Sequence, residues 1–206
     1  YPDDRKVHLV PTPLLGGIPV CLALFSAIIA GLFFLDMKLG QTTLAFITGG
    51  SVLVGLGLVD DRWGMSPLVK LSGQTLAAGI IVIGGGIYTD LIPFEWLSIA
   101  LSIFWIVGLS NALNLLDNMD GITGGVSLIA ALAFMVNGLI FGQMLSVVIA
   151  LALAGASLGY LVFNFPPANI FLGDAGSMLI GYTIGVLGIM TSNSHTSALG
   201  FVIPII

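Results

Sequence analysis

The sequence predicts an all-α polytopic transmembrane bundle, with about seven full spans and a truncated eighth, and three observations carry that expectation. Hydrophobic residues make up 57% of the 206, charged residues only 7%, and the mean hydropathy is +1.13. A water-soluble domain carries roughly a quarter charged residues, so most side chains here face lipid or other helices. Each span needs about 20 mostly apolar residues, so the length accommodates roughly seven or eight spans and leaves little for a separate soluble domain. A single membrane domain over 1–206 is expected. The chain opens on Tyr1 with neither Met nor signal-peptide order, and it stops at Ile206 inside an apolar stretch too short to span. Truncation at both ends is therefore the expectation.

Apolar runs bounded by polar or Pro/Gly-rich residues place spans near 14–35, 42–59, 68–87, 96–116, 122–141, 143–163 and 176–191, with the partial one from 198. Gly155 with Gly159, and Gly181 with Gly185, are small residues four apart that let helices approach closely in lipid. Alternating the connections between the two sides puts Arg5, Lys6, Arg62 and Lys70 together, with Lys38 alone opposite. Basic residues concentrate on the cytoplasmic side, which orients the bundle. The same count brings Asp60, Asp61, Asp117, Asp120 and Asp174 to that side, while Asp36, Asp90, Glu95 and His195 fall on the other. Cys21 is the only cysteine and lies in an apolar run, so no intrachain disulfide forms.

Four segments hold polar residues that packing does not explain. In Gly57-Leu-Val-Asp-Asp-Arg-Trp-Gly64, adjacent acids end an apolar run. Acids there are costly unless hydrated or paired; Asp60 and Asp61 read either as a helix end with Arg62 as counter-ion or as a site for a divalent cation or diphosphate. In Ser110-Asn-Ala-Leu-Asn-Leu-Leu-Asp-Asn-Met-Asp-Gly121, Asn111, Asn114 and Asn118 follow helical spacing, and Asp117 and Asp120 are neighbours if the helix continues. Amides there can donate to phosphate or base oxygens, and carboxylates can hold metal or accept a proton.

In Asn164-Phe-Pro-Pro-Ala-Asn-Ile-Phe-Leu-Gly-Asp-Ala-Gly-Ser177, Pro166 and Pro167 force a loop, and Gly173 and Gly176 flank Asp174 so that backbone can approach a ligand. Ser177 is a candidate cap for the following helix, whose N-terminal amides favour an anion. The approach to the first span, Arg5-Lys-Val-His-Leu-Val-Pro-Thr-Pro-Leu-Leu-Gly-Gly17, supplies Arg5 and Lys6, which serve either as topogenic charges or as phosphate ligands.

Other chemistries are excluded. Gly84, Gly85 and Gly86 lack the Lys-Ser/Thr of a phosphate-binding loop and read as helix-end glycines. Two histidines on opposite sides and one cysteine do not build a zinc site. No nucleophile elbow is present. Five basic residues in all argue against nucleic-acid binding.

Together, in this order, Arg5-Lys-x-His-x-x-Pro-x-Pro-x-x-Gly-Gly17, Asp60-Asp61, Asn111-x-x-Asn-x-x-Asp-x-x-Asp-Gly121 and Phe171-Leu-Gly-Asp-x-Gly-Ser177 resemble the polyprenyl-phosphate N-acetylhexosamine-1-phosphate transferase family over nearly the whole chain. The resemblance implies a bacterial inner-membrane enzyme with its site on the cytoplasmic face. It would use UDP-GlcNAc and undecaprenyl phosphate as substrates and Mg²⁺ or Mn²⁺ as cofactor. Residue by residue, it implies that Asp174 contacts the metal with Asp61, and that Asp60 and Asp61 serve metal or lipid-phosphate chemistry. Lys6, Asn111, Asn114, Asp117, Asp120 and Asn164 then line the substrate site. Asn118 departs from a Gly common in the family, and Leu14 stands where the muramoyl-pentapeptide branch usually has Thr, which favours the GlcNAc-phosphate branch. The family's late His-rich motif has no match here.

The expected reaction is in-line attack by a polyprenyl phosphate oxygen on the β-phosphorus of the nucleotide sugar, releasing UMP. A two-step route through an Asp nucleophile is the alternative chemistry. Rival classes are a cation-coupled transporter, because intramembrane acids also mark ion paths, and an inactive assembly subunit. Oligomeric state stays open, a homodimer included.

Overall fold

The computed structural model describes residues 14–192. The expected partial span from 198, the candidates Arg5 and Lys6, and both histidines lie outside the described residues. Seven helices follow one another: α1 Gly17–Phe34, α2 Gln41–Trp63, α3 Pro67–Gly79 continued by a π-helical turn Ile80–Gly84, α4 Glu95–Leu116, α5 Ile122–Ile140, α6 Met144–Asn164 and α7 Gly173–Ser192. Each is long and apolar enough to cross a membrane, and no strand occurs among the described residues. The protein is an all-α integral membrane protein, as the composition requires.

Short connections make successive helices antiparallel, and α7 becomes the axis of the bundle. It packs against α1, α2, α4, α5 and α6 and is buried almost throughout its length, as a helix without a polar face should be. The outer helices keep lipid-facing side chains such as Phe33, Phe104 and Val162. Lipid is as apolar as leucine, so association of such helices depends on close packing and interhelical hydrogen bonds rather than on escape from water. Gly181 and Gly185 supply the packing: a methyl group on Gly181 would stand 2.5 Å from the Leu109 carbonyl oxygen of α4, and one on Gly185 would stand 3.1 Å from the Ile106 Cα. Tyr182 supplies a bond, its hydroxyl donating to the Phe46 carbonyl of α2 at 3.2 Å.

Gly155 and Gly159 behave differently despite the same spacing. Both face open space and, with Gly16, Pro19 and Ala23 of the facing segment, line a cavity of about 550 Å³ between α1 and α6. The expected close approach there is absent.

Two boundaries differ from the apolar runs, and both differences matter for the site. Helix α2 does not stop at 59 but carries Asp60, Asp61 and Arg62 in its last turn, ending at Gly64 with φ +71°. Helix α7 begins not at 176 but at Gly173, which places Asp174 in its first turn. The acids are tolerated inside the helices because each finds a partner on another helix. At the opposite end, the glycines after α3 end it as expected, with the Gln41 and Thr42 side chains donating to the Gly84 and Gly85 carbonyls at 2.8 and 3.0 Å.

Candidate active site

Four helix ends converge on one acidic end of the bundle: the last turns of α2 and α4 and the first turns of α3 and α7. Close backbone approach makes the convergence possible. Gly57 of α2 lies so near α7 that a Cβ there would run into the backbone of Asp174 and Ala175.

The start of α7 is capped by acids from elsewhere in the chain. Asp61 Oδ1 accepts from the Asp174 N–H at 2.8 Å, and Asp61 Oδ2 accepts from the Ala175 N–H at 3.3 Å. The Gly173 N–H donates to the Asp117 carboxyl. Free N–H groups and the helix dipole favour negative charge at this terminus, and the protein supplies that charge itself. Gly173 is required here twice over: its φ is +71°, and a Cβ would sit 2.7 Å from Asp61 Oδ2. Ser177, read from the sequence as a cap, is instead inside α7. Its hydroxyl donates to the Gly173 carbonyl at 2.8 Å and accepts from Asn114 Nδ2 at 2.9 Å.

Asp174 thereby points away from its own helix terminus into a charged cluster. Lys70, in the first turns of α3, makes a very short ion pair with Asp174 Oδ2 and lies 2.9 Å from Asp60 Oδ2. Asn114 Nδ2 donates to Asp174 Oδ1 at 2.6 Å, and its carbonyl oxygen lies 3.4 Å from Lys70 Nζ. Side-chain exposures of 17% for Lys70, 11% for Asp60 and 28% for Asp174 leave the cluster half-sheltered but reachable.

The remaining candidates distribute around this centre. Asn111 is turned inward, exchanging amide bonds with Gln74 of α3 at 2.7 and 3.2 Å. Helix α4 ends at Leu116, so Asp117 and Asp120 are not one helical turn. Asp120 Oδ2 instead accepts from the Ala168 N–H at 3.0 Å in the loop before α7. Asn164 is 2% exposed, accepting from the Gly121 N–H and donating to the Ile170 carbonyl, at 2.8 and 2.9 Å. Asn164 and Asp120 thus clamp the two loops that present Asp117 and Asp174. Asn118 lies past the helix end, exposed, with its amide on the Leu115 carbonyl.

Sequence reasoning missed Lys70, which it read only as a topogenic charge, and Gln74. The signal was present: Lys70 and Gln74 are four apart in an apolar span, so they share a helix face.

Burial pushes the Asp117 carboxyl up to about 7, against about 4 for an ordinary aspartate. Between those values the folded protein holds a proton that the unfolded chain has released. The contribution of Asp117 therefore favours the fold at low pH and is lost as pH rises to about 7. Asp117→Asn keeps the shape without the charge. The Tm of this variant minus that of the parent, measured in chelator, is expected to grow from pH 5 to pH 8; a difference independent of pH would contradict the burial account.

Residues 43–192 match the family described as Glycosyl transferase family 4. Among curated relatives, the chain is 34% identical to the Bacillus subtilis (strain 168) protein named "Probable undecaprenyl-phosphate N-acetylglucosaminyl 1-phosphate transferase", over 100% of the chain and 58% of that protein. It is 39% identical to the decaprenyl-phosphate N-acetylglucosaminephosphotransferase of Mycobacterium tuberculosis (strain ATCC 25618 / H37Rv), over 97% of the chain and 53% of that protein. It is also 34% identical to the phospho-N-acetylmuramoyl-pentapeptide-transferase of Moorella thermoacetica, over 92% of the chain and 65% of that protein. The chain thus spans between half and two thirds of the length of these relatives. With the match covering α2 to α7 and every helix end that builds the acidic cluster, the chain belongs to glycosyl transferase family 4.

Proposed function

We propose that the protein transfers a sugar 1-phosphate, GlcNAc 1-phosphate by the names of two of its relatives, from a UDP-sugar to polyprenyl phosphate, with release of UMP. The observation that carries this reading is the cluster of Asp60, Lys70, Asn114 and Asp174, assembled from four helices at one end of a membrane bundle. Both substrates are anionic, and one is held in the membrane. A partly exposed site at the end of a membrane bundle suits that pair. A transporter would place its ionisable groups near mid-membrane, and these groups lie in terminal turns. Arg62 and Lys70 at this end against Lys38 at the other support a cytoplasmic site.

A divalent cation fits the residues present. Asp60 and Asp174 already hold one positive charge, the Lys70 ammonium, between their carboxylates, and the Asn114 carbonyl adds a third oxygen. Such hard oxygen donors suit Mg²⁺. Both oxygens of Asp61 are engaged by the α7 amides, so the geometry favours Asp60 over Asp61 as the companion of Asp174. When bound, the metal would neutralise charge on the transferring diphosphate.

The chain's own residues supply the rest. Lys70 offers a point charge to a phosphate oxygen. Asn114 fixes the orientation of Asp174, and Asp61 fixes the helix that carries it. Asp60, beside Lys70, would take the proton of the acceptor phosphate. Phosphoryl transfer depends chiefly on such positioning and electrostatics.

The test is UMP release by the whole protein in detergent, given UDP-GlcNAc and undecaprenyl phosphate. Release is expected to require the lipid, to vanish in excess chelator and to return with Mg²⁺. No release across a panel of UDP-sugars would refute the reading and favour an inactive assembly subunit.

A further inference from the structure

The half of α3 that carries Lys70 has almost no apolar anchor, and beyond the Lys70 ion pairs themselves it is held by one buried side chain. From Pro67 to Gln74 every side chain is exposed or half-buried except that of Gln74, which is 2% exposed. Gly73 allows contact with Leu56 of α2, but no apolar side chain of this segment enters the core. The anchor is therefore polar. Gln74 Nε2 donates to Asn111 Oδ1 of α4 at 3.2 Å and reaches Met178 Sδ of α7 at 3.1 Å, while Gln74 Oε1 accepts from Asn111 Nδ2 at 2.7 Å. Asn111 is in turn fixed by donating to the Val107 carbonyl at 2.8 Å.

Helical spacing places this layer directly behind the charged one. Gln74 follows Lys70 by four residues, Met178 follows Asp174 by four, and Asn111 precedes Asn114 by three. Each member of the inner layer thus lies one turn from a member of the outer layer on the same helix. Resting on the reaction class proposed above, we propose that Gln74 is a positioning residue for that reaction, holding the Lys70 turn of α3 in register with Asp174 and Asn114. Gln74 touches neither substrate nor metal in this assignment; it acts through Lys70. An amide pair suits this task within a membrane, because water is scarce there and a displaced amide finds no other partner.

Gln74→Leu tests the assignment in two ways on the whole protein in detergent. The first readout does not depend on turnover: acylation of Lys70 by an amine-reactive reagent, followed by mass spectrometry, with Lys38 as internal reference. Loss of the anchor is expected to speed Lys70 labelling several-fold while Lys38 is unchanged. An unchanged ratio overturns the proposal. The second is a double-mutant cycle on UMP release. Gln74→Leu alone is expected to lower kcat about tenfold with little change in KM, and to cost nothing further once Lys70→Met is present. Equal losses in both backgrounds would mark Gln74 as merely structural and overturn its role. Should Gln74→Leu not fold, Gln74→Met carries the same measurements with a side chain of similar length. Absence of turnover in the parent protein overturns the reaction class instead, and the labelling ratio still decides whether Gln74 holds Lys70.

Discussion

Asp174→Asn is expected to lower the rate of UMP release by at least about 10²-fold, the scale seen when one preorganised electrostatic contact is removed from a reaction centre. Both carboxylate oxygens of Asp174 are engaged, one by Lys70 and the other by Asn114 Nδ2 at 2.6 Å. An amide at this position can accept from only one of them. Its NH₂ group then faces either the Lys70 ammonium or the Asn114 amide, donor against donor. The substitution also removes a negative charge from the group proposed above to hold a divalent cation. The fold should survive, because the capping of α7 depends on Asp61 and Asp117 rather than on the Asp174 side chain. A variant with a parental Tm and turnover within a few-fold of the parent would remove Asp174 from the centre of the site.

How this site could be read beforehand differs from residue to residue, and the reason is the range of the interaction. Helix positions were legible because hydropathy is local: each of the seven full-length apolar runs within the described residues became a helix. That Asp60, Asp61, Asp117, Asp120 and Asp174 share one end followed from counting spans. What these residues bond to was not legible. Asp61 caps a helix whose first amides lie 113 and 114 residues further on, and Asn111 pairs with Gln74 across 37. Spacing along one helix names neither partner. The glycine pairs show the same limit: 181 with 185 meets α4, while 155 with 159 borders a cavity. Spacing shows that a face is small but not whether another helix covers it. The two shifted helix ends have this origin as well. An acid at a span boundary looks like the end of a helix until the partner that makes it tolerable is in place.

Lys70→Met should produce the second large effect, and it separates the ion pairing of the ammonium from the phosphate contact proposed for it. In the folded protein Lys70 is the cation between Asp60 and Asp174. Methionine fills similar space but leaves two carboxylates facing one another, and like charges so close are unfavourable. Without divalent cation, the variant's Tm is expected to fall below that of the parent. Mg²⁺ should then raise the variant's Tm by more than it raises the parent's, because the competing ammonium is gone. Turnover at saturating Mg²⁺ should remain on the order of 10²-fold low, since the metal would replace the charge between the acids but not the phosphate contact proposed for Lys70. Lys70→Arg separates charge from shape: it restores the positive charge with a wider planar head, so its Tm should recover more fully than its turnover. Equal Mg²⁺ shifts in parent and Lys70→Met would mean that the metal and the ammonium do not share the same carboxylates, and the companion of Asp174 would have to be sought away from Asp60.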